Sequence, residues 1–286
     1  MTEILENPAG PESAVQPPRS PDTEAGKSPW TRRMESTGEF VEFALSTFRQ
    51  IPAAIRLYPD EIMRHCGAMI RSNAVVVTFM LFMMGAVMGL TAHFLFSNIG
   101  IDSYIAAVNS VAGVRGICQV VFGWIIAAKL GCGIVAELGA MRISDEIDAL
   151  EVMGIRAVPF LASTRVVAAV LVLPMLFVVG LLVNFWAGWL FNVQLLETVS
   201  SGGFEYFLYL FQNIRDFAIA MVWAGLLGLV IVVVACYFGY TASGGPVGVG
   251  RNTAQSMLVN LVLVSIIGMM LVQLFYGNDP NAPIGN

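Results

Sequence analysis

A glycine-rich stretch, GGPVGVGRNT at residues 244–253, is the part of the sequence that comes nearest to a known chemical site. Gly245 and Gly250 have the separation of the two glycines in the phosphate-binding loop of ATP-hydrolysing proteins. In that loop a lysine and then a serine or threonine follow the second glycine, because these side chains hold phosphate and Mg²⁺. Here Arg251 and Asn252 occupy the two positions, so both groups are missing.

A second polar stretch, ISDEIDALEVMGI at residues 143–155, contains four carboxylates. Ser144 is a good helix N-cap, and Asp145 and Glu146 fall in the first turn, where the helix dipole favours negative charge. Gly154 provides a C-terminal stop. These signals predict a short helix of about ten residues, which is unstable when isolated.

The two faces of this predicted helix differ. At about 100° per residue, Ile143, Ile147 and Leu150 share one face, and the carboxylates of Asp145, Asp148 and Glu151 lie across the other. A solvated loop helix would explain the charges. An apolar face beside an acidic stripe also suits docking into a groove on a partner protein.

Composition places both stretches in a membrane protein. Hydrophobic residues make up 57% of the chain and charged residues 12%, and the mean hydropathy is +0.74, so one soluble core could not bury the apolar surface. The net charge of −5 gives no indication of a nucleic-acid partner. The four cysteines lack metal-type spacing, which favours small buried apolar residues.

The elements that position these stretches follow from the apolar runs. A spanning helix needs about 20 apolar residues. The sequence predicts an all-α polytopic membrane protein with five spans, at about 70–96, 116–137, 159–185, 216–238 and 256–276. The composition of residues 1–37 predicts a disordered tail, and residues 38–286 are predicted to form the membrane domain.

Residues 38–58 have helical periodicity with charges on one side. This pattern favours a helix in the membrane surface, and an amphipathic helix packed on a soluble partner is the alternative.

Orientation follows from the positive charges. Twelve of the fifteen Lys and Arg residues lie on the side that contains the N-terminus, so this side is predicted to be cytoplasmic and the C-terminus external. Both polar stretches then face the cytoplasm. The glycine-rich stretch becomes a loop between two spans with no strand beside it, so we expect a turn at the membrane face and no bound nucleotide.

One cation, Lys129, lies within the second predicted span. A charge there is costly, so it should face protein, water or a lipid head group. Pairing with Glu137 or with a neighbouring chain is one interpretation, and contact with an anionic lipid head group is another. The predicted spans contain no paired carboxylates, metal pattern or nucleophile dyad, which argues against an intramembrane enzyme.

Two runs carry a resemblance to a known family: KLGCGIVAELGAMRISDEIDALEVMGIRAVPFLASTR at 129–165 and GYTASGGPVGVGRNT at 239–253. They resemble the MlaE/YrbE family of ABC-transporter permeases, which serve MCE-type lipid transport systems of bacterial envelopes. The AELGxM motif followed by DEIDALEVMGI is the most distinctive part. The STR before span three and the GYxASGGPVGVG motif are similar to the B-type YrbE permease of actinobacterial, including mycobacterial, Mce systems. Many members have Arg at Lys129 and Pro-Arg at Thr164 and Arg165.

The resemblance implies a permease subunit in the bacterial inner membrane that is not itself an enzyme. ATP and Mg would be bound by two copies of a separate cytoplasmic ATPase, and this chain would hold no cofactor and no metal. An A-type YrbE permease would complete a heterodimer, and hexameric MCE proteins would stand on the external face. The cargo would be a hydrophobic lipid: a fatty acid, a mycolic-type lipid or a sterol.

The resemblance also implies roles for residues. The residues expected to contact the ATPase are Asp145, Glu146, Asp148, Ala149, Glu151 and Gly154. The loop expected beside it contains Gly244, Gly245, Gly248, Gly250 and Arg251. Lys129 and Glu137 are expected to be a structural pair or part of the lipid path. A membrane scaffold that anchors MCE proteins without transporting lipid is the alternative function.

Overall fold

A computed structural model describes residues 29–277, with side chains from Gly38 onward except that of Ser103. Within these residues the chain forms helices and turns and no strand, which confirms the predicted all-α fold. The helices in the described residues are α1 Pro29–Arg49, α2 Ile51–Leu57, α3 Pro59–Phe96, α4 Ile105–Val114, α5 Ile117–Ile126, α6 Cys132–Ile143, α7 Glu146–Val152, α8 Thr164–Trp189, α9 Ser201–Leu210, α10 Ile214–Tyr240 and α11 Gly245–Tyr276.

Five helical segments of the described chain are long and apolar enough to cross a membrane, which confirms the predicted number. They are Pro59–Phe96, Ile117–Ile143, Pro159–Leu195, Ile214–Tyr240 and Gly245–Tyr276. Three π-helical turns, Ala127–Gly131, Pro159–Ser163 and Leu190–Leu195, interrupt or flank the second and third segments. The helices extend beyond the predicted spans because helical hydrogen bonding continues through polar turns that hydropathy excludes.

The N-terminal region differs from its prediction in two ways. The helix expected at 38–58 is two helices that break at Gln50, with Pro52 in the first turn of α2. The disordered tail is wrong for residues 29–37, because α1 already begins at Pro29. The rest of that prediction, residues 1–28, lies outside the described residues.

The apolar face of α1 packs against its own chain. Phe43 is 1% exposed and lies with its ring centroid 5.8 Å from those of both Tyr237 and Tyr240. The Ser163 hydroxyl donates a hydrogen bond of 2.9 Å to the carbonyl of Thr47. The helix is therefore fastened to α10 and to the π-helical turn before α8, whereas its placement in the membrane surface stays a prediction.

Close approach of the helices depends on glycine. A Cβ on Gly85 of α3 would overlap the backbone of Asn184 of α8, and a Cβ on Gly123 of α5 would lie 2.7 Å from Val264 of α11. Lipid supplies no hydrophobic drive for helix association, so van der Waals contact at small residues holds such bundles together.

Two helices at one end of the bundle went unrecognised in the sequence. These are α4, a ten-residue apolar helix, and α9, which packs against it. Each helix has ten residues, which is too few to span a bilayer, so a search for apolar spans does not detect it. We call this end the α9 end and the opposite end, where α7 joins α6 to the third span, the α7 end.

A buried ion pair ties the α9 end together. Arg115, between α4 and α5, donates from Nε to Asp216 Oδ2 at 2.9 Å, and the two side chains are 8% and 2% exposed. Arg115 Nη2 also donates to the carbonyl of Phe211 at 3.2 Å, and the Tyr276 hydroxyl lies 3.4 Å from Asp216 Oδ1. The junction therefore joins α5, α10 and the end of α11.

Asp216→Asn should destabilise the protein strongly, because it leaves the Arg115 guanidinium buried beside a neutral group. Loss of one partner of a buried pair costs about 3–5 kcal/mol. The measurement is reversible unfolding in detergent. Arg64→Gln is the control, since Arg64 pairs with Glu61 while 72% exposed and such pairs contribute about 1 kcal/mol or less. Equal stability of the two variants would contradict the structural role of the Arg115–Asp216 pair.

Candidate functional site

The candidate site is the α7 end, and its central element is α7. This helix has seven residues, fewer than predicted, and lies between two residues with left-handed backbone. Asp145 precedes it with φ +57°, and Gly154 follows it with φ +79°. The amide of Ile155 donates to the carbonyl of Leu150 at 3.0 Å, which closes the C-terminal turn as Gly154 predicts.

The predicted N-cap is wrong. Ser144 directs its hydroxyl back to the carbonyl of Ala140 in α6, at 3.0 Å, and so ends the preceding helix. Asp145 occupies the cap position without a side-chain capping bond. The predicted apolar face is also shorter, because the break at Ser144 and Asp145 leaves Ile143 in α6 with 37% exposure. Ile147 alone is fully buried, and Leu150 is half-buried.

Two of the α7 carboxylates bind other parts of the chain. Asp148 Oδ1 accepts a bond of 2.6 Å from Arg142 Nη1 at the end of α6. Glu151 Oε1 accepts from the hydroxyl of Tyr240, the last residue of α10, at 3.3 Å. The Arg142 guanidinium also lies over the Tyr240 ring, 5.8 Å from its centroid. These contacts hold α7 against α6 and α10.

Three other predicted site residues, at the start of α7 and in its middle, face outward. Asp145, Glu146 and Ala149 are exposed, and no described residue pairs with either carboxylate. Beyond them lie two large apolar side chains, Val152 at 89% and Met153 at 67% exposure. This exposed pair was not predicted from the sequence, although both positions lie away from the Ile147 face on a helical wheel.

The glycine-rich stretch is a helix start rather than a loop. Gly245, Gly248, Gly250 and Arg251 lie in the first two turns of α11, which corrects the predicted loop. Gly244 and Gly245 keep a turn conformation at the helix start, with φ +82° and +71°. The preceding element is the helix α10, not a strand.

Contacts within the first turns of α11 explain this helical start. A Cβ on Gly248 would overlap the carbonyl of Ser243, so the turn is tight at this point. Asn252 Nδ2 donates to the carbonyl of Phe238 at 3.0 Å. Pro246 stands in the first turn, where proline is tolerated because the missing N–H would be unsatisfied anyway.

The start of α11 lies at the same end of the bundle as α7. Tyr240, which contacts Glu151, is five residues before Gly245. Val247 is 86% exposed, and Arg251 is exposed without a described partner. The structure therefore brings the two sequence-predicted parts of the site to one surface.

Pairing of Lys129 with Glu137, one interpretation of the sequence, is not found, whereas pairing with a neighbouring chain and contact with a lipid head group stay predictions. Glu137 Oε1 instead accepts a bond of 2.8 Å from Arg165 Nη2, whose side chain is 3% exposed. Eight helical residues separate Lys129 from Glu137 by about 12 Å along the axis. Lys129 lies exposed in the π-helical turn Ala127–Gly131, and no residue in the described part of the chain pairs with it.

A shallow groove of about 520 Å³ lies between α5 and α11. Trp124, one helical turn before the π-helical turn, donates from its indole N–H to Ser265 Oγ at 3.2 Å. The other lining residues are Leu261, Val262 and Ile266. The groove is thus mostly apolar, and Lys129 follows its lining residue Trp124 by five residues along the chain. Among residues 29–277, no cluster of His, Cys, Asp and Glu could hold a metal ion.

The chain has relatives among known proteins. The family described as Permease MlaE matches residues 62–274. A probable ABC transporter permease protein of Rickettsia bellii is 30% identical over 249 residues, which cover 86% of this chain and 94% of that protein. The chloroplastic protein TRIGALACTOSYLDIACYLGLYCEROL 1 of Arabidopsis thaliana is 29% identical over 184 residues, 63% of this chain and 51% of that protein. A probable ABC transporter permease protein of Synechocystis is 27% identical over 65% of this chain.

The matched region contains the five candidate spans almost completely and both parts of the α7 end. The chain therefore belongs to the MlaE permease family.

Proposed function

We propose that this chain is the membrane permease subunit of an ABC-type transporter that moves a hydrophobic lipid across the bacterial cytoplasmic membrane. A separate cytoplasmic ATPase binds ATP and Mg²⁺ and drives the movement. The cargo is a fatty acid, a mycolic-type lipid or a sterol. Family membership supports the permease role, and the resemblance to B-type YrbE permeases supports the lipid class.

The observation that carries the proposal is the exposed surface of α7. Val152 and Met153 project from the bundle beside the unpaired carboxylates of Asp145 and Glu146. Large apolar side chains that are almost fully exposed at a polar end of a membrane protein are typical of a protein interface. Val247 of α11 extends the same surface. The ATPase is the partner that an ABC permease needs at this position.

The distribution of positive charge supports a cytoplasmic position for α7. Arg142, Arg156, Arg165 and Arg251 belong to the α7 end, and Arg115 and Arg215 belong to the α9 end. Cytoplasmic segments of membrane proteins carry the excess of Lys and Arg. We therefore orient the chain with the α7 end in the cytoplasm and the α9 end toward hexameric MCE proteins.

The lipid path lies along α11. Only 17% of the most apolar stretch of α11 is buried, against 50% of that of Ile214–Tyr240, so α11 presents an open face. A second permease, related to A-type YrbE chains, covers this face. Lipid is held between the two permeases, with its acyl chain or ring system in the groove at Trp124 and an anionic head group near Lys129. ATP-driven closure of two ATPase copies pushes α7 and alters the spacing of the spans.

Val152→Asp should abolish ATPase binding, because it places a charge in an apolar contact among existing carboxylates. Truncation of a central interface residue costs about 2 kcal/mol or more, which is more than tenfold in affinity. The measurement is the amount of ATPase subunit that copurifies with the permease from native membranes.

The matched control is Ile214→Asp, since Ile214 is 88% exposed but belongs to the α9 end. We expect Ile214→Asp to retain the ATPase. A non-transporting scaffold would copurify with no ATPase in its unmodified form, and equal ATPase recovery with both variants would contradict docking at α7.

Lys129→Met should lower ATP-driven lipid transfer in proteoliposomes severalfold while the ATPase stays bound. The reason is that Lys129 has no ion-pair partner in the described chain, so its role is to bind the anionic head group of the lipid rather than to stabilise the fold. Lys129→Arg keeps the charge and should keep transport. If Lys129→Met transfers an anionic lipid at the normal rate, Lys129 has no part in the lipid path.

A further inference from the structure

The four carboxylates of the α7 region form two sets with different surroundings. Asp145 and Glu146 face outward, whereas Asp148 and Glu151 bind Arg142 and Tyr240 of the same chain. The family resemblance implies that all four contact the ATPase. In the structure, two carboxylates have no partner in the described chain and are open to another protein, whereas the other two already bind side chains of the same chain.

The engaged carboxylates close a cycle. Arg142 of α6 binds Asp148 at 2.6 Å, and α7 itself connects Asp148 to Glu151. Glu151 accepts from the Tyr240 hydroxyl at 3.3 Å, and the Tyr240 ring lies under the Arg142 guanidinium at 5.8 Å. Three helix ends, those of α6, α7 and α10, therefore contact one another through four side chains.

A helix as short as α7 needs such contacts to transmit force. It has seven residues, and it is joined to the chain through turns at Asp145 and Gly154. Helices of this length are unstable alone. Ile147 is the single fully buried apolar residue of α7. A push on α7 held only by Ile147 and the half-buried Leu150 would tilt it about its two turns.

We propose that Arg142 and Tyr240 are positioning residues, which fasten α7 to α6 and α10 so that force from the ATPase moves these helix ends together. The inference rests on the proposed function. Asp145, Glu146, Val152 and Met153 bind the ATPase, and Asp148 and Glu151 transmit its motion. Because α11 begins five residues after Tyr240, the displacement also reaches the helix that lines the lipid path.

Tyr240→Phe is the test, because it keeps the ring beneath Arg142 and removes only the hydroxyl. A net hydrogen bond contributes about 0.5–1.5 kcal/mol, which corresponds to about two- to tenfold in an equilibrium. We expect normal copurification of the ATPase and a two- to tenfold loss of ATP-driven lipid transfer per ATP hydrolysed. Tyr209→Phe on α9, where Tyr209 is 68% exposed, is the matched control and should have no effect.

Carboxylate variants separate fastening from docking. Glu151→Gln should reproduce Tyr240→Phe, and the double variant should be no worse than either single variant, because both remove the same bond. Glu146→Gln should instead weaken ATPase binding. Loss of ATPase binding in Glu151→Gln with normal transfer in Tyr240→Phe would show that Glu151 contacts the ATPase directly, which overturns the proposal.

Hydrogen exchange on the purified permease makes the test independent of the ATPase. Tyr240→Phe should speed exchange of the α7 amides about two- to tenfold if the bond fastens α7. Unchanged exchange would overturn the fastening even when an ATPase binds. If Tyr240→Phe speeds exchange but the unmodified permease binds no ATPase, the bond does fasten α7 and the proposed function is contradicted instead.

Discussion

The structure depends on one constraint: helices in lipid must satisfy their backbone hydrogen bonds internally and associate without a hydrophobic drive. The bundle meets it with close contacts at glycines such as Gly85 and Gly123 and with ion pairs between helices, of which Arg115–Asp216 is buried on both sides. Arg115–Asp216 joins helices at the α9 end, and Arg165–Glu137 joins α6 to α8 near the α7 end. Because these contacts fix the helix ends, the short connections between spans acquire defined positions.

The α7 end shows how this constraint leads to function. The second span leaves the bundle as α6, the chain reverses at Ser144 and Asp145, and α7 packs on the end of α10. This placement exposes Val152 and Met153 while it engages Asp148 and Glu151. One seven-residue helix thus combines exposed apolar side chains with an attachment to two spans, which is the arrangement that the proposed link to an ATPase requires.

The sequence predicted those features that local patterns determine. Long apolar runs predicted the number of spans, and Gly154 predicted where α7 ends. Features that depend on distant residues were missed or wrong. Asp216 is 101 residues from Arg115, and Glu137 turned to Arg165 of another span rather than to Lys129. Ser144 matched the pattern of a helix N-cap, but its hydroxyl donates to a carbonyl of the preceding helix. The glycines after Tyr240 suggested a loop, although α11 begins there, with Pro246 in its first turn and a hydrogen bond from Asn252 to Phe238.

We propose that α7 lies in the cytoplasm and contacts an ATPase. Photocrosslinking in intact cells tests this placement, with a photoreactive amino acid in place of Met153 and, separately, of Tyr209 at the α9 end. We expect position 153 to crosslink to a cytoplasmic ATPase subunit and position 209 to give no such crosslink. Labelling of position 153 by a membrane-impermeant reagent from outside the cell, or the absence of any ATPase crosslink there, would contradict it.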